Sequence, residues 1–296
     1  MINVKIPATT ANIGSGFDTL GLALNLYNTF SFQEIPKGLE ISGCEEGFAN
    51  ENNLVYTSML HTFNKIGYSV NGIKIDMKTD IPISRGLGSS AACILAGVIG
   101  ANEISGDPLS KEEILEIATE IEGHPDNIAP ALFGGLVISI MEKGKVIYDQ
   151  VNIFKGIKFV ALIPDFTIST RKAREVLPST IPYKDAIYNI GRVSLLISAL
   201  SNGRFDLLKF GVEDTLHQPY RGKLIPGFNE IISKCKELGS LGVFLSGAGP
   251  TIMAIIDEKD NNFILEIKKH LKSINYNWDI KVLELDLFGA IVSKSS

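Results

Sequence analysis

The 296-residue sequence has few of the residues that mark secreted, metal-bearing or nucleic-acid-binding proteins. Its three cysteines, Cys44, Cys93 and Cys235, show no metal-ligand spacing and cannot all pair. We expect structural thiols in a reducing compartment, with Cys93 and Cys235 buried on apolar helix faces. There is no basic cluster, and the net charge is −5, so nucleic acid is not an expected partner.

Signals for export or membrane insertion are also lacking. The first residues, MINVKIP, contain no apolar core of a secretory signal, so we expect a cytoplasmic protein. Residues 238–256 carry no charge and would be long enough to cross a bilayer. Their glycines, serines and single proline instead predict turns and short strands, and we expect no membrane contact.

The remaining composition is that of an ordinary globular protein, with 45% hydrophobic and 21% charged residues. The length suits one large domain or two of average size, and we favour two. Helices and strands alternate without a strict βαβ order, which predicts an α+β fold. Segments 144–145 and 154–156 are the best candidates for a boundary, so we expect domains over residues 1–155 and 156–296.

Periodic apolar residues predict four amphipathic helices. One begins after Ser110, which can form a capping box with Glu113, and ends at Gly123. The other helices cover residues 187–200, 228–238 and 263–271, and strands are predicted at 73–78, 157–163, 251–256 and 280–287. The last of these strands changes parity after Val282, which indicates a bulge or a twist.

The most informative segment is a glycine-rich loop that leads directly into an apolar stretch. Residues 82–92 read PISRGLGSSAA, and CILAGVI follows. Gly86 and Gly88 allow unusual backbone dihedral angles and close approach of a ligand, and Ser89 and Ser90 stand where a helix begins. The unpaired N–H groups and the dipole of that first turn favour an anion, so the loop is a candidate phosphate site.

This loop matches neither of two common phosphate-binding fingerprints. No lysine follows Gly88, as a P-loop requires, and Ala91 occupies the place of the third glycine in the dinucleotide fingerprint. A glycine turn that only caps a buried helix would explain this segment equally well. The choice between the two interpretations therefore depends on other parts of the chain.

Two further glycine-bearing segments, 7–24 and 245–252, flank the loop in the sequence. The ordered set of three resembles the GHMP kinase superfamily. Segments 122–135, 169–178 and 217–226 are similar to its homoserine-phosphorylating branch, and the resemblance covers essentially the whole chain. It implies a two-domain α+β architecture with an N-terminal ribosomal-protein-S5-like domain and a C-terminal ferredoxin-like domain, usually in a homodimer.

The resemblance implies transfer of phosphate from ATP, with Mg²⁺, to the side-chain hydroxyl of L-homoserine, a step toward threonine. Two alternatives stay open, namely a kinase for another small alcohol such as mevalonate and an amino-acid sensor without catalysis. Adenine is placed only loosely, near residues 52–56. Nucleotide contacts are expected from Pro82, Ile83, Ser84, Arg85, Gly86, Leu87, Gly88, Ser89, Ser90, Ala91, Ala92, Ser246, Gly247 and Gly249.

Homoserine is a zwitterion, so its site needs cations for the carboxylate and acceptors for the ammonium group. Arg174 and Arg221 could supply bidentate donors to the carboxylate. Asp18 and the side-chain oxygen of Asn12 could accept from the ammonium. Taken singly, Asp18 could be a turn residue and Arg174 a surface ion-pair partner. The resemblance implies two further substrate contacts, His124 and Thr170.

Phosphoryl transfer asks mainly for alignment and charge neutralisation. We expect Asn127 and Arg174 to touch the reacting groups, with Asp126 in support or merely capping a helix. Mg²⁺ needs hard oxygen ligands, which Ser90 and one glutamate of the helix after Ser110 could provide. Glu120 and Glu122 are both candidates, and position in the EIEG pattern favours Glu120.

Overall fold

The computed structural model of the protein describes residues 1–274 and 276–294, and its strands form two sheets. The strands are β1 (Ile2–Ala11), β2 (Leu20–Glu34), β3 (Gly38–Ser42), β4 (Gly72–Thr79), β5 (Leu136–Glu142), β6 (Lys145–Val151), β7 (Ile157–Pro164), β8 (Gly242–Leu245), β9 (Ile252–Asp257), β10 (Trp278–Leu283) and β11 (Ile291–Lys294). The helices are α1 (Leu54–Ile66), α2 (Ser89–Ile104), α3 (Lys111–Glu122), α4 (Ile128–Phe133), α5 (Thr170–Glu175), α6 (Tyr183–Asn202), α7 (Leu208–Gly211), α8 (Gln218–Arg221), α9 (Phe228–Glu237) and α10 (Asn262–Leu271). This mixture confirms the predicted α+β class.

The larger sheet has the strand order β11-β1-β2-β4-β3, and β5 and β6 extend from β2. Its pairs are antiparallel except for β3 with β4. Alternate residues of β1 and β2 face the core, and Val4, Ile6, Phe30 and Phe32 are fully buried there. Helix α2 packs against both β1 and α1. It is buried along most of its length, which explains why its sequence is apolar on every side.

The smaller sheet has the order β10-β7-β9-β8 and is antiparallel throughout. Helices α9 and α10 cover one face with Ile231, Cys235 and Ile267. The other face joins the main core, to which α6 contributes Leu196 and Leu200. Because both faces are buried, β7 and β9 are nearly continuous runs of apolar residues, as their sequences indicate.

Local predictions of secondary structure are largely confirmed. The four expected amphipathic helices are α3, α6, α9 and α10, and the capping box of Ser110 with Glu113 begins α3. Gly123 ends that helix in the left-handed conformation. The uncharged stretch 238–256 forms β8, a tight turn and β9. In the described parts of the chain, no helix meets the length and apolarity that a membrane span needs.

The end of the chain departs from the prediction. The expected strand over 280–287 stops at Leu283, after which Leu285 bridges to Leu24 and β11 pairs with β1. The chain therefore returns to the larger sheet, so its last strand pairs outside the smaller sheet of the segment predicted as a second domain, 156–296. The boundary expected at 155/156 falls between β6 and β7, where the chain leaves the larger sheet.

Candidate active site

A cleft of about 590 Å³ opens where the glycine-rich loop meets the smaller sheet and its connections. Both halves of the chain supply its walls. The predicted residues that line it are Asn12, Asp18, Ile83, Ser84, Arg85, Gly86, Gly88, Ser89, Ser90, His124, Asp126, Asn127, Thr170, Arg174, Arg221, Gly247 and Gly249. The structure thus brings most of the expected phosphate and substrate residues into one cavity.

The glycine-rich loop turns into α2 at Gly88, which is the N-cap in the left-handed conformation with φ 71°. A Cβ at Gly88 would collide with Oγ1 of Thr9, and one at Gly86 would collide with the carbonyl oxygen of Ser246. Both positions therefore require glycine on steric grounds. Since glycine offers no side-chain cap, the first N–H groups of α2 keep their capacity for an anion beside Ser89 and Ser90.

Five of the predicted nucleotide contacts do not line the cleft. Leu87, Ala91 and Ala92 are fully buried in the core, so their side chains cannot reach a nucleotide. Ser246 is also fully buried, and its hydroxyl donates to the carbonyl oxygen of Gly86 at 2.6 Å. Ser246 thus connects the glycine-bearing segment 245–252 to the glycine-rich loop. The fifth, Pro82, lines a neighbouring cavity.

Replacing Gly88 by alanine should weaken ATP binding about 100-fold, since the loop must move to relieve the clash with Thr9. Gly106 provides a matched control, because it also has a positive φ (92°) but a Cβ there would meet nothing within 4 Å among the residues that the structure describes. Its alanine variant should lose only about 1 kcal/mol of stability. Calorimetric ATP titration and thermal unfolding of both variants test this. Equal ATP affinity in the two would contradict it.

The segment from Asn12 to Asp18 is strained. Asn12, Ile13 and Gly14 all have positive φ (69°, 44° and 74°), as does Asp18 (52°). A left-handed conformation costs a residue with a Cβ roughly 1 kcal/mol or more, and most for a β-branched one such as Ile13. Other parts of the chain must therefore hold this segment in place.

Asn12 braces the segment. Its Nδ2 donates to the carbonyl oxygen of Gly247 at 2.9 Å, and its Oδ1 accepts from the backbone N–H of Asp18 at 2.9 Å. The oxygen expected to accept from an ammonium group is thus already engaged in orienting Asp18. Because an amide oxygen has two lone pairs, Asn12 can support Asp18 and still accept from an ammonium group, and its contact with the substrate stays a prediction.

Asp18 and Arg174 form a bidentate ion pair, with both nitrogen–oxygen distances at 3.0 Å. Their side chains are 37% and 40% exposed, so the pair stands open to the cleft. Arg174 lies in the last turn of α5, and Thr170 begins that helix at the cleft wall. The sequence also allowed a surface pair of Arg174 with Glu175 or Glu120, but Glu175 pairs with Arg171 and Glu120 with Lys65.

Arg221 is the buried cation of the site, with 2% exposure. Its Nε donates to the carbonyl oxygen of Ala173, and its Nη1 donates to that of Gly247, both at 3.1 Å. Burial and the nearby Arg174 lower the pKa of Arg221 to about 10, which leaves it charged at neutral pH. Charges of both signs therefore line the same cleft, as a zwitterionic ligand requires.

The glutamate next to Ser90 is Glu122, whose Oε2 accepts from the Ser90 hydroxyl at 3.0 Å. Glu120 lies outside the cleft, where it pairs with Lys65 at 2.6 Å and with His61 at 3.4 Å. The position of Glu120 does not fit its predicted role as a metal ligand, because residues two apart on a helix point to different sides. Burial raises the pKa of Glu122.

Asp126 organises its neighbours and does not cap a helix. It is 2% exposed, and its Oδ1 lies 2.6 Å from Nδ1 of His124 and accepts from Nδ2 of Asn127 at 3.2 Å. Burial lowers the pKa of His124, but the hydrogen bond to Asp126 and the negative charges of Asp126 and Glu122 together outweigh burial, so the pKa is raised. Asn127 also accepts from the hydroxyl of Thr9 at 2.8 Å. Sequence reasoning missed Thr9, which sits inside a strand.

Sequence reasoning also missed an apolar part of the cleft wall. Its residues are Gly43, Cys44, Phe48, Met77 and Cys93. Asn53 and Leu54 lie beside them, inside the range expected near adenine, and Asn53 caps α1 by accepting from the N–H of Val55. Two of the cysteines thus face the cleft and do not serve only as packing. Burial raises the pKa of Cys93 to about 12, which keeps its thiol protonated.

The side-chain oxygens beside the glycine-rich loop indicate which metal ion the site could hold. Among residues 1–274 and 276–294, no group of three or more His, Cys, Asp or Glu side chains could hold a metal ion. Glu122 and Ser90 instead offer one carboxylate and one hydroxyl beside the phosphate loop. That set fits Mg²⁺, which accepts few protein oxygens when phosphate and water complete its shell.

The fold and the cleft define a class of enzymes, and comparison with known proteins agrees. Residues 53–135 match the GHMP kinases N terminal domain, and residues 196–273 match the GHMP kinases C terminal domain. The chain is therefore a member of the GHMP kinases, with ATP as the phosphate donor that this family uses.

Individual relatives narrow the assignment within the GHMP kinases. The homoserine kinase of Clostridium botulinum is 53% identical over 293 residues, which cover 99% of each chain. That of Clostridium beijerinckii is 52% identical over 99% of this chain and 98% of its own. The crystal structure of homoserine kinase from Cytophaga hutchinsonii matches with a TM-score of 0.87 at 29% identity, over 99% and 97% of the two chains. The protein belongs to the homoserine kinase family.

Proposed function

We propose that the protein transfers the γ-phosphoryl group of ATP to the side-chain hydroxyl of L-homoserine and releases ADP. One observation carries this proposal. A single cleft contains both the glycine-rich loop at the start of α2 and the opposed charges of Asp18, Arg174 and Arg221. An anion site and a zwitterion site in one cavity are what a kinase for an amino acid needs. The homoserine kinases to which the chain is similar support the same substrate.

The Asp18–Arg174 pair suits a zwitterionic substrate. Homoserine can place its carboxylate on the guanidinium of Arg174 and its ammonium group on Asp18, so each charge exchanges one partner for another. Arg221 adds a second positive charge in the cleft. Hydrogen bonds from its guanidinium to two backbone carbonyl oxygens keep it in place. The substrate thus enters without leaving an unpaired charge in the cleft.

Asn127 is placed to orient the hydroxyl that attacks. Its side-chain oxygen accepts from Thr9 and its nitrogen donates to Asp126, so the amide is held from two sides. In a loose transition state, alignment of the hydroxyl with the γ-phosphate contributes more than removal of its proton by a strong base. We therefore assign Asn127 to positioning and Asp126 to its support.

We propose Glu122 and Ser90 as the protein ligands of Mg²⁺. Their oxygens lie 3.0 Å apart beside the loop, and both are of the hard type that Mg²⁺ prefers. When bound, the ion would neutralise charge on the phosphates of ATP. The family resemblance also leads us to propose a homodimer in the cytoplasm, which sedimentation and cell fractionation would test.

A coupled ADP-release assay tests the proposed reaction. L-homoserine, L-serine, mevalonate and galactose are compared at equal concentration, and the product is identified by ³¹P NMR. We expect turnover with homoserine only, since mevalonate and galactose lack an ammonium group for Asp18 and serine is one methylene too short. Turnover with another alcohol in place of homoserine would refute the substrate. Nucleotide binding without any turnover would instead indicate a sensor.

A further inference from the structure

His217 is the fully buried histidine that precedes α8, and it takes no direct part in the cleft described above. Its Nε2 lies 2.8 Å from the carbonyl oxygen of Gly14. Its ring stacks on Phe17 at 5.0 Å between centroids and 18° between planes. The backbone N–H of Arg221 donates to the carbonyl oxygen of His217 at 2.9 Å. One helical turn thus carries both side chains toward the segment that ends at Asp18.

The imidazole of His217 donates a single hydrogen bond. Burial lowers its pKa, so the ring is neutral at pH 7 and has one N–H. The Gly14 carbonyl can only accept, which assigns that proton to Nε2. Within the residues that the structure describes, the buried Nδ1 has no hydrogen-bond partner. The carboxylate of Asp214 lies 3.6 Å from Nε2, too far for a hydrogen bond.

The backbone around His217 is held firmly. The carboxylate of Asp214 accepts from the N–H groups of Leu216, His217 and Gln218 at 2.7–2.9 Å. It also accepts from the side-chain amide of Asn189 at 3.0 Å. Since every lone pair direction of this carboxylate is used by a nearby donor, the turn is a rigid base from which the imidazole reaches Gly14.

Gly14 lies in the strained segment, and its neighbour is tied to the same part of the chain. The Ser15 hydroxyl donates to the carbonyl oxygen of Gly211 at 2.6 Å, and Asn189 donates to that of Ser15 at 3.0 Å. Phe17 precedes Asp18 and lies against both the imidazole and, at 5.0 Å, the guanidinium of Arg221. All these contacts come from residues far away in sequence. Such contacts are needed because a strained left-handed segment keeps its conformation only when the surrounding structure holds it.

We infer that His217 is a positioning residue for the homoserine site. Its bond to Gly14 and its contact with Phe17 hold the strained segment so that Asp18 stands opposite Arg174. The inference rests on the proposed function, because Asp18 and Arg174 are taken as the groups that bind the zwitterion. It predicts that loss of the imidazole impairs homoserine binding selectively and leaves ATP binding intact, since the phosphate loop is built from other contacts.

Two variants of one residue separate donation from packing. His217→Leu keeps an apolar side chain but removes the donor, and it should raise the KM for homoserine about tenfold while the KM for ATP stays within about twofold. His217→Gln can place an amide nitrogen near Gly14 and should recover to within about threefold of wild type. Phe17→Leu, which removes the stacked ring, should show the same split between the two KM values even if His217→Leu fails to fold.

Ile231→Ala is the control for instability alone. Ile231 is fully buried between α9 and the smaller sheet, away from the strained segment. Its variant should lower the Tm without separating the two KM values. The inference is overturned if His217→Leu behaves like Ile231→Ala, if both KM values rise equally, or if the leucine and glutamine variants are alike.

Calorimetric titration with homoserine in the absence of ATP distinguishes a failure of the positioning role from a failure of the proposed function. Wild type that binds homoserine without phosphorylating it would refute the reaction, while the Kd values of the His217 variants would still test the positioning role. A tenfold weaker Kd in His217→Leu supports that role, and an unchanged Kd overturns it.

Discussion

Replacing Arg174 by alanine should lower kcat/KM for homoserine by about 100-fold or more, with only a small change in the KM for ATP. The guanidinium supplies two charge-assisted bonds to a carboxylate, as its contact with Asp18 already shows. Its loss removes that clamp on the substrate and leaves Asp18 without its ion-pair partner. Because the substrate is then misaligned with the γ-phosphate, kcat should fall as well as KM rise.

Arg171 provides the control for this experiment. It lies on the same short helix α5, is 89% exposed, and pairs only loosely with Glu175 at 3.7 Å. Arg171→Ala removes the same charge from the same helix, so homoserine kinetics should stay within about twofold of wild type. Steady-state kinetics with each substrate varied in turn decide the matter. Unchanged kinetics in Arg174→Ala, or equal losses in both variants, would show that Arg174 does not bind the substrate.

Exchange of Glu122 for glutamine should lower kcat about 100-fold and raise the Mg²⁺ concentration needed for half-maximal rate. Glutamine keeps the size of the side chain and can still accept from Ser90, but it removes the negative charge that a divalent ion requires. The variant should therefore fold normally. EDTA should abolish the activity of the wild type, and Mg²⁺ should restore it.

Glu120→Gln is the matched control, since it makes the same change two residues earlier on α3. Its carboxylate pairs with Lys65 and is more than half exposed, so its loss should leave rates and Mg²⁺ dependence unchanged and cost little stability. Initial rates over a Mg²⁺ titration of both variants give the comparison. A larger loss in Glu120→Gln than in Glu122→Gln would mean that the helix presents the other glutamate to the metal.

Local features of the fold were predictable because their causes lie within a few residues. The capping box of Ser110 with Glu113 begins α3, and Gly123 ends it. The loop around Gly86 and Gly88 was recognisable because backbone with positive φ favours glycine, and both glycines adopt it just before a helix. Each of these signals acts between neighbours in sequence, so no knowledge of packing was needed.

Predictions failed where the answer depended on packing between distant segments. Glu120 and Glu122 both flank the apolar face of α3, and the pattern of the helix alone could not decide between them. Only the contact of Glu122 with Ser90, from another helix, settles which one faces the cleft. In the same way, nothing local in residues 284–294 indicates that they leave the smaller sheet, because β11 depends on its pairing with β1.

The sequence by itself determined the α+β class, the glycine-rich loop and the chemical types that a zwitterion site requires, since periodicity, capping and glycine placement express local physical chemistry. Tertiary structure alone decided that Asn12 orients Asp18, that Ser246 ties two loops together, and that Thr9 supports the reacting end of the cleft. The reason is the short range of a hydrogen bond, about 3 Å, which only the final packing of separate segments can satisfy.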